Sequence, residues 1–219
     1  MKLKYKSNYT DEEKEQIISI GPVKSGCDVE MPDNITKINS KFQECINLES
    51  IILPESITLI QKEAFEYCYK LKSINLSNVE RICDWAFHEC KSLKEIEFPN
   101  SMKFIDDNAF DSCESLEKII IPSSIEKISY EAFCDCCNLK EAIINAKCEL
   151  SCDIFSGCDI LEKIHITPES YKLSPDFVFE YKDKIEIIKQ KTLDELLDEG
   201  KSLREISNIY KNNKEVGIR

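Results

Sequence analysis

Apolar residues return at fixed positions every 22 or 23 residues along most of the chain. One unit can be written Cys-x-x-Leu-x-x-Ile-x-Leu, and it continues with a proline or small polar residue, a second apolar pair and Ala-Phe. The cysteines that mark the units are Cys45, Cys68, Cys90, Cys113, Cys136 and Cys158. Because so many positions keep one register over about 120 residues, the pattern predicts an array of structural repeats.

Each unit combines a strand with a turn. The segment Leu-x-x-Ile-x-Leu ends in strict alternation, which is typical of a short strand with one buried face. Pro54, Pro99 and Pro122 end their strands, since proline has no N–H to donate to a ladder. The second apolar pair, Ile57 and Ile60 in the first unit, predicts another extended segment, and Ala-Phe predicts a short helical turn packed inward. One unit cannot bury its apolar face alone, so the units must stack.

Stacking places equivalent side chains in columns on strands roughly 4.8 Å apart. We expect parallel strands in one sheet at residues 50–53, 73–76, 95–98, 118–121, 141–144 and 163–166. The cysteine column is then a column of small buried hydrophobes and has a structural role. Disulfides between neighbouring units remain an alternative, because that spacing falls inside the usual Cα–Cα window of about 4.4–6.8 Å.

The end units lose the consensus, as expected for terminal repeats that meet solvent. Near the start, Val29 to Phe42 matches the first unit shifted by 22 or 23 residues, without its Leu and Cys. After the sixth cysteine, Tyr171, Val178 and Phe179 continue the pattern in degraded form, and a seventh strand is predicted at residues 185–188.

The units Cys-x-x-Leu-x-x-Ile-x-Leu-Pro-x-x-Ile-x-x-Ile-x-x-x-Ala-Phe resemble leucine-rich repeats of the BspA type, over roughly residues 23–189. The Asn or Cys that usually follows the strand in leucine-rich repeats is absent, as in that class. The resemblance implies an α/β repeat solenoid, a right-handed superhelix with a parallel sheet and short helical caps at both ends. It also implies a protein-interaction module, often on bacterial or protozoan surfaces.

Three segments follow from these patterns. Residues 1–22 are predicted to form an N-terminal helical cap that starts at the capping box Thr10 and Glu13. Residues 23–189 form the solenoid. Residues 190–219 have helical spacing around Gly200 and are predicted to form a C-terminal helical hairpin. The stretch LLDEGKSLREIS in this hairpin also resembles the first two helices of resolvase-like helix-turn-helix modules, so a DNA-associated regulatory protein is one alternative function.

Composition narrows the class of protein further. The net charge of −12 argues against nucleic acid and against anionic membranes as partners. No run of 18 apolar residues predicts a membrane span, and no apolar segment of a signal peptide follows the first basic residues. We therefore expect a cytoplasmic, monomeric protein whose 12 cysteines are thiols, whereas the family resemblance favours the cell surface or secretion.

Sequence motifs of catalysis are missing. The two histidines, His88 and His165, lie in different units, and no Gly-x-Ser-x-Gly or His-Glu-x-x-His motif occurs. We therefore predict a non-enzymatic protein without cofactor or metal. The cysteine-rich segment 134–158 leaves a second alternative, a thiol or zinc protein, in which Cys134 or Cys137 is an exposed oxidisable thiol.

A partner protein of unknown identity is expected to bind the outward side of the strands. Ile120 and Ile143 fall on adjacent strands, where exposed β-branched residues could form a contact patch. The candidate binding residues are Ile52, Asn75, Glu95, Glu97, Lys118, Ile120, Glu141, Ile143, Lys163 and His165.

The hairpin is expected to cover the last unit, near Ile185 and Ile188, because an open solenoid end exposes backbone edge and apolar side chains. Deleting residues 190–219 should therefore lower the melting temperature and promote oligomers. Differential scanning fluorimetry and size-exclusion chromatography would measure both effects. A truncated protein that stays monomeric with an unchanged melting temperature would show that the tail is an independent element.

Overall fold

The computed structural model describes residues 35–188, together with the backbone of Lys2 and Leu3. This part of the chain is a parallel-strand solenoid of about seven turns with few helices. The predicted fold class is therefore confirmed. The helical segments predicted at residues 1–22 and 190–219 lie outside the described residues, apart from Lys2 and Leu3.

Short strands line two faces of the solenoid. On the first, called the strand face, the strands are β1 (Lys2–Leu3), β3 (Ser50–Ile51), β5 (Ser73–Ile74), β8 (Lys118–Ile121), β10 (Glu141–Ile144), β11 (Lys163–Ile166) and β12 (Ile185–Ile187). On the second they are β2 (Lys37–Ile38), β4 (Leu59–Ile60), β6 (Arg81–Ile82), β7 (Phe104–Ile105) and β9 (Lys127–Ile128). All the pairings are parallel. The extended segment predicted from Ile57 and Ile60 is thus confirmed as the second sheet.

The strand face is not the single sheet that the repeat predicts. It divides into β1-β3-β5 and β8-β10-β11-β12, because residues 95–98 form no strand. At this turn Phe98 occupies the column that holds leucine or isoleucine elsewhere, and its ring packs edge-on against Phe110, with centroids 5.5 Å apart. We attribute the interruption to this larger side chain, which the neighbouring strands do not accommodate at ordinary strand spacing.

The first two predicted strands are shorter than expected for a different reason. Asn75 donates its side-chain N–H to the carbonyl of Leu53 at 3.1 Å and accepts the Leu53 backbone N–H at 2.6 Å. This side chain replaces the backbone pairing that would have continued β3 and β5.

On the other side of β3, Lys2 and Leu3 pair with Ser50 and Ile51, where the repeat register predicts the segment around Val29. Val29 itself lies outside the described residues.

In most units, the turn that follows the second sheet contains two residues whose backbone has a positive φ, the left-handed conformation. The non-glycine residues with positive φ are Glu44, Glu63, Tyr67, Trp85, Glu89, Asn108, Ser112, Glu131 and Asp135, and Gly157 also has this conformation. Each non-glycine costs about 1 kcal/mol or more. Backbone bonds between units offset this cost: Phe65 N–H donates to the Ala86 carbonyl at 2.8 Å, and Tyr67 N–H to the His88 carbonyl at 2.9 Å.

The core contains two adjoining columns, one of phenylalanine and one of cysteine, among buried leucine, isoleucine and alanine side chains. Neighbouring phenylalanine rings stack with centroids 5.2 Å apart for Phe65 and Phe87 and 5.1 Å apart for Phe87 and Phe110. Five thiols of the column donate to the phenylalanine carbonyl 25 or 26 residues earlier in the chain; for example, Cys90 Sγ lies 3.3 Å from the Phe65 oxygen. The same pattern holds for Cys68, Cys113, Cys136 and Cys158. The cysteines among the described residues are free thiols, so the structural role predicted for the column is confirmed.

Two short helices follow the last long strand, α1 (Pro168–Leu173) and α2 (Pro175–Glu180). Thr167 caps α1 by accepting the backbone N–H of Ser170. Phe177, which is fully buried, continues the phenylalanine column, whereas the predicted continuation Phe179 is 76% exposed. None of the helices in the described part of the chain is long and apolar enough to cross a membrane.

The cysteine column should be chemically inert in the folded protein. Burial raises the pKa of the Cys90 and Cys113 thiols far above its usual range, so their thiolate is not populated at neutral pH. A thiol reagent should modify the exposed Cys137 first and leave Cys68, Cys90 and Cys113 protected, as read by peptide mass spectrometry. Rapid labelling of all three in the native state would contradict the structural role.

Replacing a column cysteine should destabilise the protein moderately. Cys90→Ala leaves a small cavity and removes a donor from the Phe65 carbonyl, and we expect a loss of about 1–2 kcal/mol in the free energy of unfolding. Denaturant titration would measure it. Cys137→Ala is the control and should change little.

Candidate protein-binding face

Strands β8, β10 and β11 bring six of the predicted binding residues together. Lys118, Glu141 and Lys163 lie side by side, and Ile120, Ile143 and His165 form the next row outward on the same three strands. These strands are four residues long and fully paired, so the side chains project from a rigid surface. The repeat period of the sequence is thus enough to predict which of these six residues are neighbours.

Charged side chains frame the isoleucine row through a chain of ion pairs. Lys118 Nζ lies 2.5 Å from Glu141 Oε2, and His165 Nε2 lies 3.2 Å from Glu141 Oε1. His165 Nδ1 lies 3.4 Å from Glu186 Oε2. The hydrogen bond and charge of Lys118 lower the pKa of the Glu141 carboxyl, opposed by partial burial and helped by His165. Exposed pairs of this kind add little stability, but they hold the side chains in a fixed arrangement.

The apolar centre of this surface is the pair Ile120 and Ile143. Ile120 is 50% exposed, and its partner Ile143 across the strand pair is partly exposed. Two neighbouring β-branched side chains ringed by charges offer a small apolar contact within a polar rim, which is the usual arrangement at the centre of protein–protein interfaces.

The other four predicted binding residues lie near the interruption of the sheet. Ile52 is 54% exposed next to β3, and Glu95 and Glu97 are exposed on the segment that forms no strand. Asn75 is different, because both polar atoms of its side chain are hydrogen-bonded to the backbone of Leu53. The candidate residues therefore form two separate groups, one on each side of the break.

A second polar column was not recognised from the sequence. The residues directly after four successive column phenylalanines are Glu66, His88, Asp111 and Cys134. His88 Nδ1 lies 3.1 Å from Asp111 Oδ2, an ion-pair contact without good hydrogen-bond geometry. The repeat period predicts that these positions are neighbours, since they are 22 or 23 residues apart. Their side chains differ in type from unit to unit, however, so the column does not stand out in the sequence.

Cys134 belongs to this column, and the cluster that it forms among the described residues contains two carboxylates and no second cysteine. Its thiol lies with the carboxylates of Asp111 and Asp135, and their potential ligand atoms are all within 4.8 Å of one another. Burial, and then the charges of Asp135 and Asp111, raise the pKa of Cys134 to about 12, which opposes a reactive thiolate. Three groups are fewer than the four protein ligands of a structural zinc site. Cys136 and Cys158, from the same cysteine-rich segment, are buried in the core column.

The repeat pattern matches the family model described as BspA type leucine-rich repeat region, in six copies over residues 24–140 and 60–186. The chain belongs to this family. A search of curated proteins gave no match.

Solved structures with the same fold are bacterial leucine-rich repeat proteins. A leucine-rich repeat protein from Bacteroides ovatus is 28% identical, with a TM-score of 0.57 over 78% of this chain and 44% of that one. The T. pallidum leucine-rich repeat protein is 27% identical, with a TM-score of 0.56 over 69% of this chain and 79% of that one. The pneumococcal vaccine antigen PcpA is 22% identical, with a TM-score of 0.50 over 66% of this chain and 42% of that one. The chain thus spans less than half of the Bacteroides ovatus protein.

The contact between His88 and Asp111 predicts a pH dependence. Although burial opposes the charged imidazole, Asp111, Glu66 and Glu89 raise the pKa of His88 above its usual value. Stabilisation by the protonated ring is therefore complete below the unfolded pKa of about 6.5, and it is lost as the pH rises through the higher folded pKa.

The measurement is the melting temperature of the wild type and of His88→Gln between about pH 5.5 and 8.5. The wild type should lose more stability with rising pH than the variant, because only the wild type has the His88 imidazole. Parallel curves would show that the pair does not stabilise the fold through the charge of His88.

Proposed function

We propose that this protein is a non-enzymatic binding module, and that strands β8, β10 and β11 present the surface that contacts a partner protein. Leucine-rich repeats of this family are in general protein-interaction modules, which supports a role in protein binding. The assignment of the partner contact to these three strands rests on the geometry of the strand face.

The observation that carries the proposal is the apolar pair Ile120 and Ile143 inside a frame of paired charges. Binding costs less when the contact residues are already ordered, because fewer side chains lose freedom on association. Here the backbone is held by parallel pairing on both sides of β10, and the surrounding charges are held by ion pairs. The surface is therefore preorganised, with the apolar contact supplying affinity and the charges supplying orientation.

The partner's surface should match this pattern. It needs an apolar group that covers the isoleucine pair and polar or charged groups that face Lys118, Lys163 and the carboxylates between them. Because both signs of charge alternate across the strands, a partner selected here is recognised by the order of its charges and not by its net charge.

The test removes the apolar centre without touching the core. Ile120→Glu combined with Ile143→Glu should weaken binding of the partner about tenfold or more, since buried apolar contacts at an interface centre cost over 1 kcal/mol when lost. The partner is identified by affinity capture with the wild-type chain from an extract of its source cells, and its affinity for each variant is then measured by surface plasmon resonance.

The matched control is Ile46→Glu combined with Ile160→Glu. These isoleucines are 49% and 41% exposed, but they lie in the turns and not on β8, β10 or β11. A partner that loses affinity for the strand-face variant and keeps it for the control supports the proposal. Equal binding to all three proteins would place the contact elsewhere.

A further inference from the structure

A cleft lies at the break in the strand face and is lined by three successive turns of the solenoid. Its volume is about 570 Å³, and it is lined by residues 50–52, 73–77, Glu95 and 97–99. Side chains that point outward and side chains that point toward the core both contribute to its wall. Its size is within the usual range for binding sites, about 300–1,000 Å³.

The cleft exposes groups that are covered at every complete turn. Ile74 is only partly buried, whereas Ile51 and Ile119, in the same column, are 2% and 1% exposed. Within the described residues, no backbone hydrogen bond joins 73–77 to 94–99 or 94–99 to 117–121. Residues 94–99 therefore have no backbone hydrogen bond to the turn on either side, whereas β5 keeps its pairing with β3.

The charge of the cleft differs from the rest of the strand face. Glu49 is paired with Lys72 at 2.9 Å, and Glu141 is paired with Lys118. Glu95 and Glu97 are exposed and make no ion pair with any described residue. Two carboxylates thus stand above an apolar floor formed by Ile74, Leu76 and Phe98.

We propose that this cleft binds an extended, basic segment of a partner protein. The aliphatic stem of a lysine or arginine would lie on the apolar floor with its cationic end at Glu95 and Glu97, as long cationic side chains commonly do. The backbone of residues 94–99, which makes no hydrogen bond to either neighbouring turn, would be available to the segment. The inference rests on the proposed protein-binding role but uses a different part of the strand face.

The experiment uses short capped peptides as probes. A fluorescein-labelled peptide Thr-Lys-Thr-Lys-Thr-Lys-Thr is titrated with the full chain at physiological ionic strength and followed by fluorescence anisotropy, and the corresponding Thr-Glu peptide is the negative probe. Glu95→Gln combined with Glu97→Gln keeps the side-chain shape and should weaken binding of the basic peptide about tenfold. Hydrogen exchange should show new protection in residues 72–78 and 94–100 when the basic peptide is bound.

The control corrects for the acidic surface of the whole protein. Glu149→Gln combined with Glu180→Gln removes the same charge from two exposed positions outside the cleft, and it should leave the affinity unchanged. Equal weakening by both double variants would show general electrostatic attraction and overturn the proposal. Absence of binding at millimolar protein, or protection elsewhere on the chain, would overturn it as well.

The outcome is separable from that of the proposed function. Ile120→Glu combined with Ile143→Glu lies outside the cleft and should bind the basic peptide as the wild type does. If that variant keeps its partner while the cleft variant loses the peptide, the surface on β8, β10 and β11 is wrong and the cleft stands. If that variant loses its partner while the cleft variant binds the peptide as the wild type does, only the proposal for the cleft is wrong.

Discussion

The fold depends on the packing of one phenylalanine on the next. Each ring lies about 5 Å from its neighbour through most of the array, which is the spacing of parallel strands. The backbone next to each ring is bonded locally and across the stack: the Phe65 carbonyl accepts the N–H of Cys68, three residues on, and the thiol of Cys90, 25 residues on. Buried carbonyls without partners are costly, so the cysteine is both a small apolar filler and a donor. A unit has these partners only when it is stacked, and stability is therefore shared between neighbours.

This contact fixes the separation of the turns at one side of the solenoid and leaves more freedom at the strand face. Phe87 and Phe110 remain stacked across the same turn at which the strand face is interrupted. The additional ring of Phe98 packs on that column and not in a strand ladder. The rigid phenylalanine column thus allows one strand to be lost without unfolding of the array, and the loss creates a cleft in an otherwise continuous surface.

The strand face consequently offers two surfaces of different chemistry. On β8, β10 and β11 the charges are satisfied by each other, and the exposed apolar pair is the group that a partner would cover. At the cleft, among the described residues, the backbone of 94–99 makes no hydrogen bond to either neighbouring turn, and two carboxylates make no ion pair. The first surface suits a folded partner that meets a preformed patch, and the second suits an extended segment that supplies hydrogen bonds and positive charge.

The sequence by itself determined the repeat length, the buried columns, the two strand segments of each unit and the parallel fold, because burial imposes the same residue types at equivalent positions of every turn. It also placed Ile120 beside Ile143, since the register of stacked turns follows from the period. Only the tertiary structure decided where the sheet breaks, which groups Asn75 bonds, that Lys2 and Leu3 pair with β3, and that Phe177 continues the core. These features depend on side-chain volume and hydrogen bonding between residues about 22 or more positions apart, and a repeating pattern records only the environment that the turns have in common.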